Sequence, residues 1–263
     1  MDRTKQDFLN QLPLVSNTNH HVYSDGRIFY KRAKDDANSS RIVLEAKVNE
    51  ILGRECELVP GPPVSIVTKR FGNVVPNKEI RESFVREAMR VMQDTYYVPH
   101  SKLVKVNNLA PSLSDFHKIT DEKLRHRINK KRNPEILLNI FPDLASLKET
   151  NQGLVHSDPR PANWLRQDDG TLILIDWESA LIAPWEFAVI SFVSYLFEYG
   201  RPDLAHFAIE EAKEHSHLDK RMLAWSANFR TASISSWYFA YESSDSGMEW
   251  MNKLSQFWLN LQL

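Results

Sequence analysis

Three oxygen-bearing side chains, Asp158, Asn163 and Asp176, stand at or near the ends of two apolar runs in the middle of the chain. The turn sequence Asp169-Gly170 lies between the runs, and Asp-Gly between apolar residues is a strong signal for a β-hairpin. A two-residue loop at this turn would place Asn163 opposite Asp176, at the open end of the hairpin. Carboxylate and amide oxygens are the ligands that Mg²⁺ prefers. The pattern therefore predicts a site for a hard divalent cation.

The order of these residues, Asp-x₄-Asn and then an Asp that ends a strand, resembles the catalytic segment of protein kinases. With His156 before Asp158 and with Ile-Asp-Trp-Glu at 175–178, the stretch is more similar to the aminoglycoside phosphotransferase and choline kinase family. The resemblance implies that Asp158 accepts the proton of a substrate hydroxyl, that Asn163 and Asp176 bind Mg²⁺, and that His156 braces the loop. A hairpin with ordinary acidic turn residues is the alternative.

A strand lysine and a helix glutamate precede this motif. Lys31 lies near the end of a predicted strand, and Glu45 lies on a helix that follows the possible N-caps at 38–40 and ends at Gly53. The resemblance implies that Lys31 contacts the α- and β-phosphates of ATP and that Glu45 holds it as an ion pair. Glu50 is the competing partner for Lys31, and two solvated surface charges are the alternative reading.

The loop expected over the phosphates, residues 16–20, contains no Gly-x-Gly, since no glycine precedes Gly26. Serine, asparagine and threonine side chains would have to donate hydrogen bonds in place of a glycine-rich backbone. The resemblance further implies that adenine binds backbone groups near residues 68–73, where the chain leaves the small lobe.

The resemblance implies an α+β, two-lobed, protein-kinase-like fold. We expect an N-terminal nucleotide-binding lobe with a small antiparallel β-sheet over residues 1–72. A mostly helical C-terminal lobe over residues 73–263 would contain the catalytic hairpin and the substrate site. Apolar periodicity predicts a helix capped by Asn77 and another from about Thr120, and the apolar run at 187–197 predicts a buried central helix.

Aromatic residues are frequent in the last two predicted helices. The segment containing Trp237, Tyr241 and Glu242 is similar to the aromatic-rich C-terminal helix of choline and thiamine kinases. Aromatic faces attract cations, and the Glu242 carboxylate could recognise an ammonium group. We therefore expect a cationic hydroxyl substrate, either an aminoglycoside or an amino alcohol such as choline, ethanolamine or thiamine. Ordinary core packing is the alternative for most of these aromatic residues.

These features together predict a Mg²⁺-dependent kinase that moves the γ-phosphoryl group of ATP, or of GTP, to a hydroxyl of a small molecule. The alternative is a catalytically silent, nucleotide-binding regulatory module with a kinase-like fold. Two features support the alternative: the missing glycines, and Glu186 at a position where the family commonly has an aspartate.

The composition excludes several other classes of protein. The 263 residues are 42% hydrophobic and 25% charged, with a net charge of −1, which is typical of a soluble globular protein and gives no electrostatic case for nucleic acid or membrane partners. The basic run at 123–132 is best explained as a solvated helix face. The single cysteine, Cys56, excludes an internal disulfide, and the first residues lack the apolar core of a signal peptide. We expect a cytoplasmic protein.

Overall fold

The structure is a computed structural model, and it describes residues 9, 11–17, 20–25, 27–69, 72–130, 132–144 and 151–262. Contacts group the chain into two compact units. The first unit comprises Met1–Val75, Val98–Ala110 and Ala162–Ala180, and the second comprises Pro76–Tyr97, Pro111–Pro161 and Leu181–Leu263. Both units are discontinuous in sequence, and the division of the chain after residue 72 stays a prediction.

The secondary-structure elements have the following bounds. The strands are β1 (Leu14–Asn17), β2 (His20–Ser24), β3 (Ile28–Ala33), β4 (Cys56–Val59), β5 (Ser65–Lys69), β6 (Asn73–Val74), β7 (Gly153–His156), β8 (Trp164–Arg166), β9 (Leu172–Leu174) and β10 (Ala180–Ala183). The helices are α1 (Asp36–Ile51), α2 (Glu82–Tyr96), α3 (His100–Leu103), α4 (Leu113–Asn129), α5 (Ile136–Ile140), α6 (Trp185–Glu198), α7 (Pro202–His215), α8 (Lys220–Tyr241) and α9 (Ser244–Asn260).

The first unit is built on an antiparallel sheet with the strand order β1-β2-β3-β5-β4. Lys31 lies in β3, where it pairs with Val22 of β2 on one side and with Ile66 of β5 on the other. A residue on a strand that is hydrogen-bonded on both sides has a fixed backbone position. The sheet therefore holds the Lys31 side chain in a defined direction.

Helix α1 packs on this sheet. Ile42 and Ala46 of the helix form a buried apolar cluster with Ala33 of β3 and Ile66 of β5. The helix starts earlier than the sequence predicts, because the Asp35 carboxylate accepts a hydrogen bond from the backbone N–H of residue 38 at 2.9 Å. The predicted caps at 38–40 are therefore wrong: these residues form the first turns of the helix.

The hairpin β8–β9 has a three-residue loop instead of the predicted two-residue loop. The N–H of Gln167 donates to the carbonyl of Thr171 at 2.9 Å, and the N–H of Gly170 donates to the carbonyl of Gln167 at 3.0 Å. Gly170 has φ +87°, so it provides the left-handed residue that closes a hairpin of this kind. The Asp169 carboxylate also accepts the N–H of Thr171 at 2.8 Å.

The longer loop moves the strand register by one residue. Trp164 pairs with Leu174, and the carbonyl of Asn163 accepts the N–H of Ile175 at 2.9 Å. The prediction that Asn163 lies opposite Asp176 is therefore wrong. Asp176 instead leaves the strand through a left-handed conformation, with φ 67° and ψ 51°.

The second unit has a helical core. Most of α6 is buried around its whole circumference, which confirms the buried central helix predicted from its apolar run. Helix α4 begins at Leu113 and not near Thr120, because Ser112 and Asp115 form a capping box at its start. Asn77 begins a short 3₁₀ turn, and the extended backbone of Arg81 separates that turn from α2.

No helix in the described part of the chain combines the length and the apolar character that a membrane crossing requires.

Candidate active site

The ammonium group of Lys31 lies among three carboxylates within the first unit. Its Nζ is 2.8 Å from Glu45 Oε2, 2.6 Å from Asp176 Oδ1 and 2.5 Å from Glu178 Oε2. Strand β3 supplies the lysine, α1 supplies Glu45, and the segment that follows β9 supplies the two other acids. Glu50, the competing partner for Lys31, instead pairs with Lys47 and Lys105 on the surface. We call Lys31 and its three acids the Lys31 cluster.

Burial and charge oppose each other in the Lys31 cluster. Burial disfavours the ammonium of Lys31, but Glu45, Asp176 and Glu178 outweigh it and raise its pKa. Burial raises the pKa of Glu45, with Lys31 as the main opposing group. Burial would also raise the pKa of Glu178, but hydrogen bonding to His20 and the charge of Lys31 lower it to about 2. The cluster thus depends on its single lysine to keep three acids together.

His20 is a further member of this site, and the sequence did not indicate it. Its Nε2 lies 2.7 Å from Glu178 Oε2, and the His20 side chain is almost fully buried. His20 is the last residue of the loop that the sequence predicts to cover the phosphates, and in the structure it opens β2. Residues 18 and 19 of that loop lie outside the described residues.

Asp176 has an unusual backbone for a residue with a side chain. Its φ of 67° is in the left-handed region, where aspartate is tolerated better than most residues but still at a cost. Trp177, buried directly after it, donates its indole N–H to the carbonyl of Leu174 at 2.8 Å. This bond and the contact with Lys31 hold Asp176 in position.

A cavity of about 690 Å³ opens beside the Lys31 cluster within the first unit. Its polar lining includes Lys31, Glu45, Asp176 and Glu178, together with the buried Asn163. The apolar part of its lining is formed by Val15, Val22, Phe29, Ile66, Val74, Leu165 and Ile175, and the further polar residues are Ser16, His20, Ser24, Asn49, Thr68 and Asn73. A volume of this size, lined by both apolar and polar side chains, is suited to a small ligand such as a nucleotide.

Gly72 also lines this cavity, in the segment predicted to contact adenine. It has φ +130°, and a Cβ at this position would overlap the carbonyl of Arg166. Only glycine fits there, because β6 follows at once and pairs with β8. Residues 70 and 71 of the same segment lie outside the described residues.

The donors of the Lys31 cluster suit a hard divalent cation. Glu45, Asp176 and Glu178 offer carboxylate oxygens that all lie within 4.8 Å of one another. Three carboxylates face one ammonium, so the cluster has excess negative charge. Oxygen donors with net negative charge are the environment that Mg²⁺ prefers.

Asp158 lies in the second unit, in the loop after β7. Its backbone N–H donates to His156 Nδ1 at 3.1 Å, so this histidine contacts the loop backbone. Arg160 Nε donates to Asp158 Oδ1 at 2.8 Å. These two contacts fix the carboxylate of Asp158 at the end of the strand.

Three further residues complete the surroundings of Asp158, and sequence reasoning missed them. The Tyr195 hydroxyl makes hydrogen bonds with Asp158 and with Arg230, and the Arg230 guanidinium lies 4.8 Å from the centre of the Tyr195 ring. Burial raises the pKa of Glu198, against the opposing charges of Arg230 and Arg160. A charged residue inside an apolar helix, such as Arg230 in α8, is the sequence signal that could have located this network.

A second cavity, of about 550 Å³, lies within the second unit; we call it the Arg230 cavity. Trp237, predicted as a substrate residue, lines it. The other two predicted substrate residues, Tyr241 and Glu242, are not among the described residues that line it, and their role stays a prediction. The full lining is Phe116, Thr120, Lys123, Leu124, Arg127, Phe141, Arg160, Tyr195, Glu198, Tyr199, Arg230, Ala232, Ser233, Ile234, Ser236, Trp237 and Tyr238.

Comparison with known sequences identifies one family. A profile described as the phosphotransferase enzyme family matches residues 33–222, well over half of the chain. No curated protein matches the chain significantly.

Solved structures of small-molecule kinases have the same fold. Aminoglycoside 2′-phosphotransferase-IIIa, in its GDP complex, aligns with a TM-score of 0.63 over 99% of both chains at 11% identity. An amicoumacin kinase with AMP-PNP, Ca²⁺ and Ami aligns at 0.63 over 98% of this chain and 93% of that one, at 14% identity. Choline kinase LicA from Streptococcus pneumoniae aligns at 0.56 over 98% of both, at 9% identity. These alignments confirm the predicted protein-kinase-like α+β fold.

Proposed function

The chain belongs to the phosphotransferase enzyme family, and we propose that it transfers the γ-phosphoryl group of ATP to a hydroxyl group of a small molecule. The observation that carries this proposal is the Lys31 cluster, in which a buried lysine contacts Glu45, Asp176 and Glu178 beside a cavity of nucleotide size. With a divalent cation bound to its carboxylates, such an arrangement would position phosphates and balance their charge, which is most of what a phosphoryl-transfer site must do.

The residues of the first unit hold the nucleotide in this proposal. Lys31 contacts the phosphates, and Glu45 keeps its ammonium in place. The apolar walls of the cavity accept the base. Asp176 and Asn163 hold Mg²⁺, which when bound neutralises negative charge on the phosphates. GTP is the alternative donor, since one structurally similar kinase was solved with GDP.

Asp158 acts on the acceptor in this proposal. Its carboxylate orients the substrate hydroxyl and accepts its proton as the oxygen attacks the γ-phosphorus. Arg160 donates to one carboxylate oxygen at 2.8 Å, and this hydrogen bond fixes the direction in which the carboxylate points. His156 positions the loop through the backbone of Asp158 and exchanges no proton with the substrate.

The second candidate function is a catalytically silent, nucleotide-binding regulatory module. The presence of Glu186 is now weaker support for this function, because this residue has a structural role. Its Oε1 accepts the N–H of Asp219 at 2.8 Å, at the start of α8. The absence of Gly-x-Gly from the loop at 16–20 still supports the regulatory module. Turnover is the property that separates the two functions.

Aminoglycosides, choline, ethanolamine and thiamine are the acceptors that the family resemblance suggests, and structurally similar proteins include an ethanolamine kinase and a choline kinase. A cytoplasmic location is part of the proposal, since the single cysteine is free and ATP is the donor.

Asp158→Asn tests the proposed reaction. The variant should keep the unfolding temperature and the Mg·ATP affinity of the wild type, because the new amide oxygen can accept the same hydrogen bond from Arg160. It should lose phosphoryl transfer by at least about a hundredfold, because an amide accepts no proton. Asp168→Asn, an identical change in the exposed hairpin loop, is the matched control and should retain full activity. Tight Mg·ATP binding by the wild type, without turnover over a broad panel of alcohols, would instead establish the regulatory module.

A further inference from the structure

The charge of the Arg230 cavity bears on the chemistry of the acceptor. Four cationic side chains line it, and among the described lining residues one carboxylate, Glu198, opposes them. The cationic residues are Lys123, Arg127, Arg160 and Arg230. Counting Asp158, which Arg160 contacts, still leaves two more cations than carboxylates. A pocket with this balance attracts anions and repels ammonium compounds.

Arg127 places positive charge in the cavity beside neutral groups. Its Nη1 donates to Ser236 Oγ at 2.8 Å, and its guanidinium lies 5.3 Å from the centre of the Tyr241 ring. Neither of these partners neutralises its charge. The guanidinium also lies over one face of the Tyr241 ring, which leaves that face unavailable to a ligand ammonium.

Arg230 provides a second, independent indication that the cavity binds an anion. It is 5% exposed, it lines the cavity, and its Nε has no hydrogen-bond partner among the described residues. A buried guanidinium donor without a partner is costly, and a ligand oxygen would satisfy it. Tyr195 and Glu198 also interact with the Arg230 guanidinium.

The aromatic walls of the cavity indicate the chemical character of the uncharged part of the ligand. Phe116, Phe141, Trp237 and Tyr238 give the cavity large aromatic surfaces. Arg160 and Tyr195 line the same cavity and both contact Asp158, so the cavity adjoins the proposed base.

We propose that the acceptor is an anionic hydroxyl compound with an aromatic or apolar body, whose carboxylate or phosphate group is bound by Arg127 and Arg230. The inference rests on the proposed function for the hydroxyl and narrows it to a substrate class. It departs from the cationic acceptor that the sequence suggests. Guanidinium groups bind carboxylate and phosphate by the same paired hydrogen bonds, so both anions fit.

Four probes with one common body test the charge preference. They are 3-phenyllactate, 2-hydroxy-3-phenylpropyl phosphate, the neutral 3-phenylpropane-1,2-diol and the cationic 1-amino-3-phenylpropan-2-ol. Binding to the full chain is measured by calorimetry without nucleotide, and transfer from ATP is measured separately. An anionic probe should bind at least about tenfold more tightly than the diol, and the amine more weakly than the diol. The two anionic probes distinguish carboxylate from phosphate.

Arg127→Gln and Arg125→Gln form a matched pair on α4. Arg125 is exposed, pairs with Asp121 at 2.8 Å and does not line the cavity. Arg127→Gln should weaken the anionic probe about tenfold and leave the diol unchanged, while Arg125→Gln should change neither. Lys123→Gln is the second variant in case Arg127→Gln fails to fold.

The outcomes separate this inference from the proposed function. Preferential binding or phosphorylation of the amine would overturn the anionic acceptor while leaving a small-molecule kinase. An equal loss of Mg·ATP affinity in Arg127→Gln would also overturn it, because the charge would then serve the nucleotide. Tight anion binding that depends on Arg127, without any transfer, would support the ligand class and count against the kinase.

Discussion

Replacing Lys31 by methionine should destabilise the first unit through electrostatics more than through lost packing. The side chain is 12% exposed and contacts three carboxylates at 2.5 to 2.8 Å. Without it, acids whose oxygens lie within 4.8 Å of one another face each other directly. Each such pair repels by about 3 to 4 kcal/mol at an effective dielectric constant of about 20. Methionine has a similar length, so the loss of packing is small.

Proton uptake limits the damage, and its direction can be worked out. With Lys31 gone, the main group that opposes the raised pKa of Glu45 is gone as well. An acid whose pKa is raised in the folded state binds its proton more readily when folded, so folding of the variant is favoured as the pH falls. We expect Lys31→Met to lose about 3 to 5 kcal/mol at about pH 8 and clearly less at about pH 5.

Urea unfolding of wild type and variant at these two pH values measures the difference. Lys47→Met is the control, since Lys47 is an exposed lysine on α1 that pairs with Glu50 at 2.7 Å. It should change stability by no more than about 0.5 kcal/mol at either pH. A loss below about 1 kcal/mol for Lys31→Met, or an equal loss at both pH values, would refute the reasoning.

Two further predictions concern single contacts of the same unit. Glu178 has a pKa of about 2 in the folded protein, so its stabilisation is present above pH 4.5 and is lost as the pH falls toward 2. Between about pH 5 and about pH 3, the free energy of unfolding should therefore fall by about 2 kcal/mol less in Glu178→Gln than in the wild type. Urea unfolding at the two pH values measures this difference, and an identical pH dependence of the two proteins would exclude this role of Glu178. Gly72→Ala should cost about 2 to 4 kcal/mol, because the methyl group meets the carbonyl of Arg166. Gly53→Ala, with φ +72° but open space around it, should cost only about 1 to 2 kcal/mol, and equal thermal shifts in the two variants would contradict the steric argument.

Local patterns in the sequence predict much of the fold. The apolar run at 187–197 predicts a buried helix, and α6 is buried there because residues on all its sides are apolar. The kinase-like order of strand, helix and catalytic hairpin predicts the fold class. The start of α4 was misplaced because the capping box at Ser112 lies within a stretch that lacks strong apolar periodicity.

The candidate site was less accessible to sequence reasoning. Asp169-Gly170 fits a two-residue and a three-residue loop alike, and the difference of one residue changes which side chains face each other. Arg230 contacts Tyr195 across two helices, and such a tertiary contact leaves no short-range pattern. His20 became visible as a partner of Glu178 only through the fold that brings β2 to the end of β9.

Detection of a phosphorylated product is the most direct measurement of the central claim. The full chain is incubated with Mg²⁺ and ATP or GTP, and with the anionic, neutral and cationic hydroxyl compounds, and mass spectrometry identifies any product. We expect a compound phosphorylated on its hydroxyl, with wild type and Asp168→Asn equally active and Asp158→Asn inactive. Product formation that is undiminished in Asp158→Asn, or its absence with wild type across all three classes of acceptor, would contradict the account.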